Sequence, residues 1–304
     1  MSHAAIIKRL LSRKTGLFYL LGLKGFFKGM DDEKYLKRMY KSKFKIPLDL
    51  EHPKAYTAKL QWLKLYDRKD IYTTFADKAA VRDYIAEKLG EEYLVPVFAV
   101  YNSVDEIDWA ALPQRFVLKC SHGSGCNIVC TDKSKLDIEK SKEKLSAWMK
   151  HSWYWFGREW PYKNIKPRII CEHFIESSQG ETPNDYKFLC FNGEPRLMQL
   201  HMNRYKSNYT MDYYDMDWNK TDISKRGTAI SAEKAPKPQN FEKMKELAGF
   251  LAKDTYFSRI DFYDVEGKIY FGEITFFPTS GLSPFDNYED DLRMGSYIHL
   301  PCDK

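Results

Sequence analysis

Helical periodicity recurs along the chain. Between Asp77 and Leu89, apolar residues return along one helical face, which predicts an amphipathic helix. The same pattern predicts helices around Ala58–Tyr66, over Asp137–Lys150 and over Phe241–Lys253, and a helix rich in Lys and Tyr before a break at Pro47. Helices are therefore expected at intervals along the chain.

Short apolar or alternating segments between these helices predict β-strands. They are Tyr93–Tyr101, Arg115–Cys120, Asn127–Cys130, Arg168–Glu176, Tyr186–Phe191, Arg196–Met202, Arg259–Tyr263 and Lys268–Thr275. Turn residues at Asn192-Gly193 and Glu266-Gly267 join the later strands into hairpins, whereas residues 203–240 are polar and Tyr-rich and are predicted to be a loop. Because helices alternate with antiparallel hairpins and no repeat is visible, the predicted class is α+β (mixed α/β).

Composition supports a globular protein. The 304 residues are 43% hydrophobic and 30% charged, which suits one large domain or two to three packed subdomains. The longest charge-free stretch near the N-terminus, Thr15–Leu23, is too short for a membrane-spanning helix. None of the 6 cysteines forms a Cys-x-x-Cys pair, which argues against a zinc site, and no secretory signature is present, so we expect a cytoplasmic protein with reduced thiols.

The net charge of +6 is a local feature. Residues 1–30 contain all of this excess, with Lys and Arg but no Asp or Glu, so the rest of the chain is neutral. This distribution argues against a nucleic-acid partner. Residues 1–30 are interpreted either as a basic amphipathic segment that lies on an anionic membrane surface, at the inner face of the cell membrane, or as an ordinary N-terminal helix packed on the body.

A first motif joins a lysine to a small-residue loop. Lys119 ends an apolar strand, residues Ser121–Gly125 follow, and the chain returns in the next strand. Gly123 and Gly125 allow backbone N–H groups to approach an anion, and Lys119 adds a positive charge, which is typical of a phosphate lid. The lysine precedes the glycines, so the motif is not a Walker A loop. A plain tight hairpin is the alternative interpretation.

A second motif places polar side chains on a predicted hairpin. Alternation puts Arg259 and Asp261 on one face of a strand, and Glu273 and Thr275 on one face of the next. Carboxylates among apolar residues must be paired or bind a cation. Oxygen ligands of this kind favour Mg²⁺ or Mn²⁺ held together with substrate phosphates. A buried Arg–Asp salt bridge with a glutamate at the edge is the alternative.

In their order and spacing, these motifs resemble the ATP-grasp superfamily, and within it the TupA-like (teichuronopeptide-biosynthesis) branch associated with bacterial surface polysaccharides. The resemblance spans roughly residues 55–285. It is carried by Asp77-Lys78, Lys119 with Ser121–Gly125, residues 171–175, Asp185-Tyr186-Lys187, Arg259-x-Asp261 and Glu273-x-Thr275-x-x-Pro278-x-x-Gly281. It implies an ATP-grasp fold, in which two lobes with antiparallel sheets clasp ATP after a helical N-terminal region.

The resemblance also implies roles for individual residues. Lys78 and Lys119 would hold ATP phosphates, with Lys187 as a third contact, under a loop of Ser121, Gly123, Ser124 and Gly125. Glu172, His173, Phe174 and Ile175 would receive adenine, and Asp185 or Glu176 would reach the ribose. Asp261 and Glu273 would bind Mg²⁺ or Mn²⁺, and Arg259 would stabilise developing charge. Thr275 stands where the superfamily usually has Asn, and its hydroxyl can still ligate the metal or orient a water.

The activity implied is ATP-dependent ligation of a carboxylate and an amine through an acyl phosphate, during the synthesis of capsule or another surface glycopolymer. The expected partners are small-molecule acids and amines, carried on a sugar or glycolipid precursor. A glycosyltransferase that uses a nucleotide sugar is the alternative, because Asp215-Met216-Asp217 forms a D-x-D pattern. Arg158 and Glu159, within an aromatic segment over residues 153–162, are interpreted as a salt bridge or as substrate contacts.

The order of the motifs predicts four regions. They are a basic helical region over residues 1–70, an αβ portion over 71–118, a lid subdomain over 119–183 and a metal- and substrate-binding subdomain over 184–304. The polar segment over residues 201–240 would encode the choice of acceptor. Within it, His201, Asn203 and Arg204 follow a predicted strand and are interpreted either as facing the acceptor site or as a solvated strand end.

Overall fold

A computed structural model describes residues 14–176, 183–203 and 207–303. The helices are α1 (Lys14–Leu23), α2 (Asp32–Phe44), α3 (Tyr56–Tyr66), α4 (Ile71–Ala76), α5 (Val81–Lys88), α6 (Ile138–Met149), α7 (Tyr154–Gly157), α8 (Phe241–Ala252) and α9 (Tyr288–Ser296). Short 3-10 turns include Trp160–Tyr162 and Pro278–Gly281. Within the described ranges, no helix has both the length and the apolar character needed to cross a bilayer.

The strands form two antiparallel sheets. In chain order they are β1 (Val97–Tyr101), β2 (Phe116–Cys120), β3 (Asn127–Cys130), β4 (Ile169–His173), β5 (Asp185–Phe191), β6 (Glu194–Met202), β7 (Thr210–Asp215), β8 (Phe257–Val265) and β9 (Lys268–Thr275). The first sheet has the order β1-β4-β2-β3, and the second has the order β7-β6-β5-β8-β9. The predicted antiparallel α+β class is confirmed.

Strand alternation in the first sheet decides which side chains reach its outer surface. Phe116, Leu118 and Cys120 of β2 are buried on one face, where they pack in one core with Leu145 of α6. The residues between them, including Lys119, therefore point to the other face. This face looks toward the second sheet.

The second sheet has β5 at its centre, and every residue of β5 is buried. One face carries Phe188, which packs 5.6 Å (between ring centroids) from Phe241 of α8. The opposite face is covered at one end by α3, where the ring of Tyr56 lies 5.2 Å from that of Phe257. Alternation along β5 places Lys187 on this second face, beyond the part that α3 covers.

A buried arginine ties the N-terminal helices to the aromatic segment over residues 153–162. Arg158 has no exposed surface, and its Nη2 donates to the backbone oxygens of Phe27 at 2.6 Å and Met30 at 3.3 Å. Its Nε lies 3.1 Å from an Asp32 carboxylate oxygen, and its guanidinium lies 4.5 Å from the Tyr35 ring. The predicted Arg158–Glu159 salt bridge is therefore wrong, because the guanidinium of Arg158 is paired with the carboxylate of Asp32 instead.

Two predicted elements are corrected. The loop predicted over residues 203–240 contains strand β7, whose central Asp212 is fully buried and lies 3.2 Å from Lys220 Nζ. The helix predicted from Asp77 begins at Val81, because the Asp77 carboxylate accepts the N–H of Ala79 at 2.9 Å and holds a turn.

The predicted four-part division stays a prediction. The boundary between residues 118 and 119 lies inside β2, whereas that between 183 and 184 lies between the two sheets. The first part of the basic segment over residues 1–30, which includes Lys8, Arg9 and Arg13, lies outside the described residues, as does Arg204.

Candidate active site

A cleft lies between the two sheets and collects most of the predicted site residues. Those that line it are Lys78, Lys119, Ser124, Gly125, Glu172, His173, Phe174, Ile175, Asp185, Lys187, Asp261 and Glu273. Arg259 and Thr275 are not among the lining residues but lie beside them on the same strand faces, where both contact Glu273. Ser121 points elsewhere, since its fully buried hydroxyl accepts the N–H of Arg168 at 3.2 Å.

Strand register builds an acidic cluster in the wall formed by the second sheet. Asp261 of β8 lies directly opposite Lys187 of β5 on one side and Glu273 of β9 on the other, and Arg259 lies opposite Thr275. Lys187 Nζ contacts the Asp261 carboxylate directly and lies 3.5 Å from Asp185. The predicted convergence of the two strand faces is what the structure shows.

Arg259 connects the oxygens of this cluster. Its Nε donates to Asp261 at 2.6 Å and its Nη2 donates to the second Asp261 oxygen at 2.7 Å, to Glu273 at 2.8 Å and to the Thr275 hydroxyl at 3.1 Å. The Thr275 hydroxyl lies 3.2 Å from the same Glu273 oxygen. Oxygens of three side chains therefore converge on one point, where a positive charge is already favoured.

The charges around Glu273 fix its protonation state. Burial alone would raise the pKa of its carboxyl group, but the charges of Lys78, Arg259 and Lys187 outweigh burial and hold the pKa well below its usual range. Burial also opposes the charge of Arg259, yet Asp261 and Glu273 raise the pKa of its guanidinium. Glu273 is therefore ionised at neutral pH.

The loop over residues 121–125 closes the other side of the cleft. It joins β2 to β3, and Gly125 adopts a left-handed conformation with φ +74°. At Gly123, a Cβ atom would lie 2.1 Å from Nε1 of Trp153, so only glycine fits against this indole. Lys78 Nζ donates to the Gly123 carbonyl at 2.7 Å and lies 3.4 Å from Glu273, so it links the loop to the acidic cluster.

A second ion-pair group lies on the first sheet. Glu172 of β4 is paired in register with Val117 of β2, and its carboxylate lies 2.5 Å from Lys119 Nζ and 3.8 Å from Arg82. Two of the residues predicted to contact the nucleotide therefore touch each other. The contact of Arg82 with Glu172 was not predicted, because the periodicity of its helix indicates only the apolar face.

The two candidates for the ribose differ in position. Asp185 lines the cleft beside Lys187, and its side chain is almost fully buried. Glu176 contacts Arg115 in a bidentate pair and is absent from the described lining. Of the two, Asp185 is the one placed to meet a ligand in the cleft.

The oxygens of Asp261, Glu273 and Thr275 suit a hard cation such as Mg²⁺ by chemistry. Two carboxylates and one hydroxyl are too few to enclose the ion, and the described ranges contain no cluster of three or more His, Cys, Asp or Glu side chains that could hold one. The set therefore fits a metal that is shared with the oxygens of a bound phosphate.

Other residues that the sequence singled out have structural roles here. Asp215 closes the turn after β7, accepting N–H groups from Asp217 at 3.0 Å and Asn219 at 2.7 Å.

Tyr263 lines the cleft on the same strand face as Asp261 and was missed, although the two-residue period of β8 indicates it. The site is thus built mainly from strand faces.

Residues 58–299 match the family model described as TupA-like ATP-grasp. No curated protein matches the chain. Similar solved structures include D-alanine–D-alanine ligase from Helicobacter pylori, with 17% identity, 82% of this chain and 70% of that chain covered, and a TM-score of 0.40.

Two further structures are the ATP-grasp ligase PsnB complexed with minimal precursor and D-cycloserine synthetase DcsG. PsnB has 9% identity and a TM-score of 0.41, with 81% of this chain and 65% of that chain covered. DcsG has 14% identity and a TM-score of 0.39, with 74% of this chain and 70% of that chain covered. The chain thus spans about two thirds of the length of these structures, and all three TM-scores are low.

Family membership therefore rests on the family model. The matched range, residues 58–299, contains both sheets, the cleft and every predicted site residue from Lys78 to Thr275. The predicted resemblance is confirmed: the chain belongs to the TupA-like ATP-grasp family.

Proposed function

We propose that the protein joins a carboxylate to an amine through an acyl phosphate, using ATP and Mg²⁺, in the assembly of a bacterial surface polysaccharide or glycopolymer. One observation carries the proposal. Three lysines (Lys78, Lys119 and Lys187) and two carboxylates (Asp261 and Glu273) converge on one cleft between two antiparallel sheets. This arrangement is what binding of a metal–polyphosphate requires.

The nucleotide would lie along the cleft, with its phosphates toward the acidic cluster. Lys78, Lys119 and Lys187 would exchange their present carboxylate partners for phosphate oxygens, while Ser124 and Gly125 close over them. Adenine would lie against Glu172 and the backbone of residues 173–175, and Asp185 would accept from the ribose. These assignments agree with the positions of the lining residues.

Asp261 and Glu273, with Thr275, would hold the divalent ion. When bound, it neutralises phosphate charge during phosphoryl transfer. Arg259 fixes both carboxylates through its hydrogen bonds and adds positive charge behind the transferred group. The residues of the chain thus act by positioning and by electrostatic stabilisation.

The reaction needs no nucleophilic side chain. An oxygen of the substrate carboxylate attacks the γ-phosphorus of ATP, the bond to the β,γ-bridging oxygen breaks, and ADP leaves. An amine nitrogen then attacks the acyl carbon, the C–O bond to phosphate breaks, and phosphate leaves with the electron pair. The products are an amide, ADP and inorganic phosphate.

Replacement of Glu273 by Gln tests the proposal. Glu273→Gln keeps the shape of the side chain but removes an anion from the cluster, so we expect phosphate release to fall by about 100-fold or more, a loss typical of one electrostatic contact to a transition state. Glu246→Gln, on the exposed side of α8, is the matched control and should retain the wild-type rate. Full activity of folded Glu273→Gln would refute the metal assignment.

The acid, the amine and the polymer are tested by a screen. Phosphate release is measured for uronic acids and amino acids paired with amino acids and amino sugars, each with ATP and Mg²⁺. Calorimetry with ATP and with nucleotide sugars distinguishes a ligase from a glycosyltransferase. The D-x-D hypothesis for a glycosyltransferase loses support because the Asp215 carboxylate accepts hydrogen bonds within its own turn. Selective binding of a nucleotide sugar would overturn the proposal.

We also propose that residues 1–30 dock on anionic membranes and that residues 119–183 act as a lid subdomain. The run of basic residues without acidic ones supports the first proposal. Sedimentation of the full chain with vesicles containing anionic lipid tests it, and failure to bind at low salt would refute it. Protection of residues 119–183 from hydrogen exchange when ATP is added tests the second.

A further inference from the structure

Three segments that are distant in the sequence meet where the loop over residues 121–125 begins. They are the turn over residues 77–80 between α4 and α5, Ser121 directly after β2, and Arg168 directly before β4. The turn carries Lys78, which lines the cleft. The contacts among these segments therefore decide where Lys78 stands relative to the loop.

Backbone hydrogen bonds join the three segments at Ser121. The N–H of Ser121 donates to the carbonyl of Arg168 at 2.8 Å, and the N–H of Arg168 donates to the Ser121 hydroxyl at 3.2 Å. The N–H of Lys78 donates to the carbonyl of Ser121 at 3.1 Å. Because Ser121 has no exposed surface, these hydrogen bonds are shielded from water.

One side-chain ion pair closes a ring of contacts through the same segments. Nη2 of Arg168 lies 2.7 Å from a carboxylate oxygen of Asp77, the residue directly before Lys78. The other oxygen of Asp77 accepts the N–H of Ala79 at 2.9 Å, so this carboxylate holds the turn on both sides of Lys78. Asp77 is only 5% exposed, and Arg168 is its one ion-pair partner among the described residues.

Lys78 contacts the loop at both of its ends. Besides the backbone bond to Ser121, its Nζ donates to the Gly123 carbonyl at 2.7 Å and lies 3.4 Å from Glu273. A lysine side chain is a flexible four-carbon stem, so its ammonium group is well placed only where the backbone that carries it is fixed. The ring of contacts fixes that backbone.

The ion pair itself lies outside the cleft. Neither Asp77 nor Arg168 is among the described residues that line it, so neither is placed to touch a bound nucleotide. Any effect of the pair on a ligand must therefore pass through the residues that it holds. Of these, Lys78 is the one whose side chain reaches both the loop and the acidic cluster.

We propose that Asp77 and Arg168 are positioning residues, which hold Lys78 against the loop over residues 121–125 in the arrangement that receives the phosphates of ATP. The inference rests on the proposed ligase function, because it takes the cleft as the ATP site. Without Arg168, Asp77 would be a buried carboxylate with no counter-ion. The turn would then move to expose it to water, and the ammonium group of Lys78 would be displaced.

Two ligands separate positioning from general damage to the cleft. ATP with Mg²⁺ needs Lys78 and the loop, whereas adenosine has no phosphates and needs only the other end of the cleft. In Arg168→Met, we expect the Kd for ATP to rise about tenfold, since displacement of a contact group by about 1 Å has effects of this order or larger. Calorimetry measures this value. The Kd for adenosine, from an NMR titration, should be the same as in the wild type.

Conservative variants and a control sharpen the test. Arg168→Lys keeps a positive charge for Asp77 and should bind ATP more tightly than Arg168→Met, because a single nitrogen of Arg168 makes the ion pair. Asp77→Asn keeps the size of the side chain but removes its charge, so it should weaken ATP binding and leave adenosine binding unchanged. Arg196→Met is the matched control, because Arg196 forms an exposed pair with Glu194 and should retain both wild-type Kd values.

A double variant shows whether Arg168 acts through Lys78. Independent contacts multiply their losses of affinity, whereas coupled ones do not. Once Lys78→Met has removed the ammonium group, we expect Arg168→Met to cause little further loss of ATP affinity. Thermal unfolding checks that each variant is folded, and Asp77→Asn and Arg168→Lys decide the question if Arg168→Met is not.

Three results would overturn the inference. Arg168→Met, or Asp77→Asn in its place, would bind ATP as tightly as the control; or it would lose ATP and adenosine affinity equally, as expected of a purely structural pair. The third is a double variant in which the two losses multiply. A wild-type protein that does not bind ATP would instead refute the proposed ligase function itself.

Discussion

Replacement of Arg259 by Met is a direct test of the acidic cluster. The guanidinium makes two hydrogen bonds to Asp261, whose side chain is 3% exposed, and one to Glu273. Removing one partner of a buried ion pair lowers the free energy of unfolding by about 3–5 kcal/mol. We expect the lower value, about 3 kcal/mol, because Lys187 still pairs with Asp261 in the variant. Arg259→Met should therefore destabilise the fold measurably.

This cost can be converted into a melting temperature. Unfolding entropy of about 2.1 cal/mol/K per residue, over 304 residues, gives about 640 cal/mol/K. A loss of about 3 kcal/mol then lowers Tm by about 5 °C, which differential scanning calorimetry resolves. Arg293→Met is the matched control, because Arg293 forms an exposed pair with Asp222 that should contribute less than about 1 kcal/mol.

The effect should depend on pH. Burial raises the pKa of Asp261 and Arg259 opposes this, so removal of Arg259 raises the pKa further. The variant then binds a proton that the unfolded chain does not, and protonation favours its folded state as the pH falls toward the ordinary range for Asp. The Tm difference from wild type should shrink between pH 7 and pH 5. A difference that grows, or a Tm drop at pH 7 no larger than that of the control, would refute the reasoning.

Two further predictions concern the phosphate lysine and helix α9. Lys78→Met should weaken ATP binding by about ten- to a hundredfold, because one charge-assisted hydrogen bond contributes about 1.5–3 kcal/mol. Lys88 is exposed, so Lys88→Met should leave the Kd measured by calorimetry within about twofold of the wild-type value. Equal Kd values for the two variants would remove Lys78 from the site. Gly295→Ala should lower the free energy of unfolding by at least about 2 kcal/mol, because the added Cβ would lie 2.0 Å from a backbone oxygen. A Cβ added at Gly29 meets open space, so Gly29→Ala should cost less than about 0.5 kcal/mol. Urea unfolding measures both values, and similar losses in the two variants would contradict the packing.

The part of the site that lies on strands could be predicted from the sequence. A two-residue period and a short hairpin are local properties, and they suffice to place Arg259 with Asp261 and Glu273 with Thr275. The structure adds the register that sets Asp261 opposite Glu273 and Lys187. Register depends on neighbouring strands and cannot be read from one segment.

Strand β7 shows why other elements were missed. Its sequence is interrupted by Asp212, which looks like a loop residue, but the carboxylate is buried and satisfied by Lys220 and by the N–H of Ser231 at 2.9 Å. A burial cost that is offset by distant partners leaves no local signal. The same holds for Lys64 of α3, because its fully buried ammonium group is satisfied by the carbonyl of the distant Ser280 at 2.8 Å.

The pairing of Arg158 with Asp32, Phe27 and Met30 has a consequence for how far the enzyme extends. The matched family range starts at residue 58, so all three of these partners lie outside it. A protein trimmed to that range would keep both sheets yet leave the buried guanidinium of Arg158 without these hydrogen-bond and ion-pair partners. The helices that precede the family boundary are thus an integral part of the folded domain, rather than a separate segment that could be replaced.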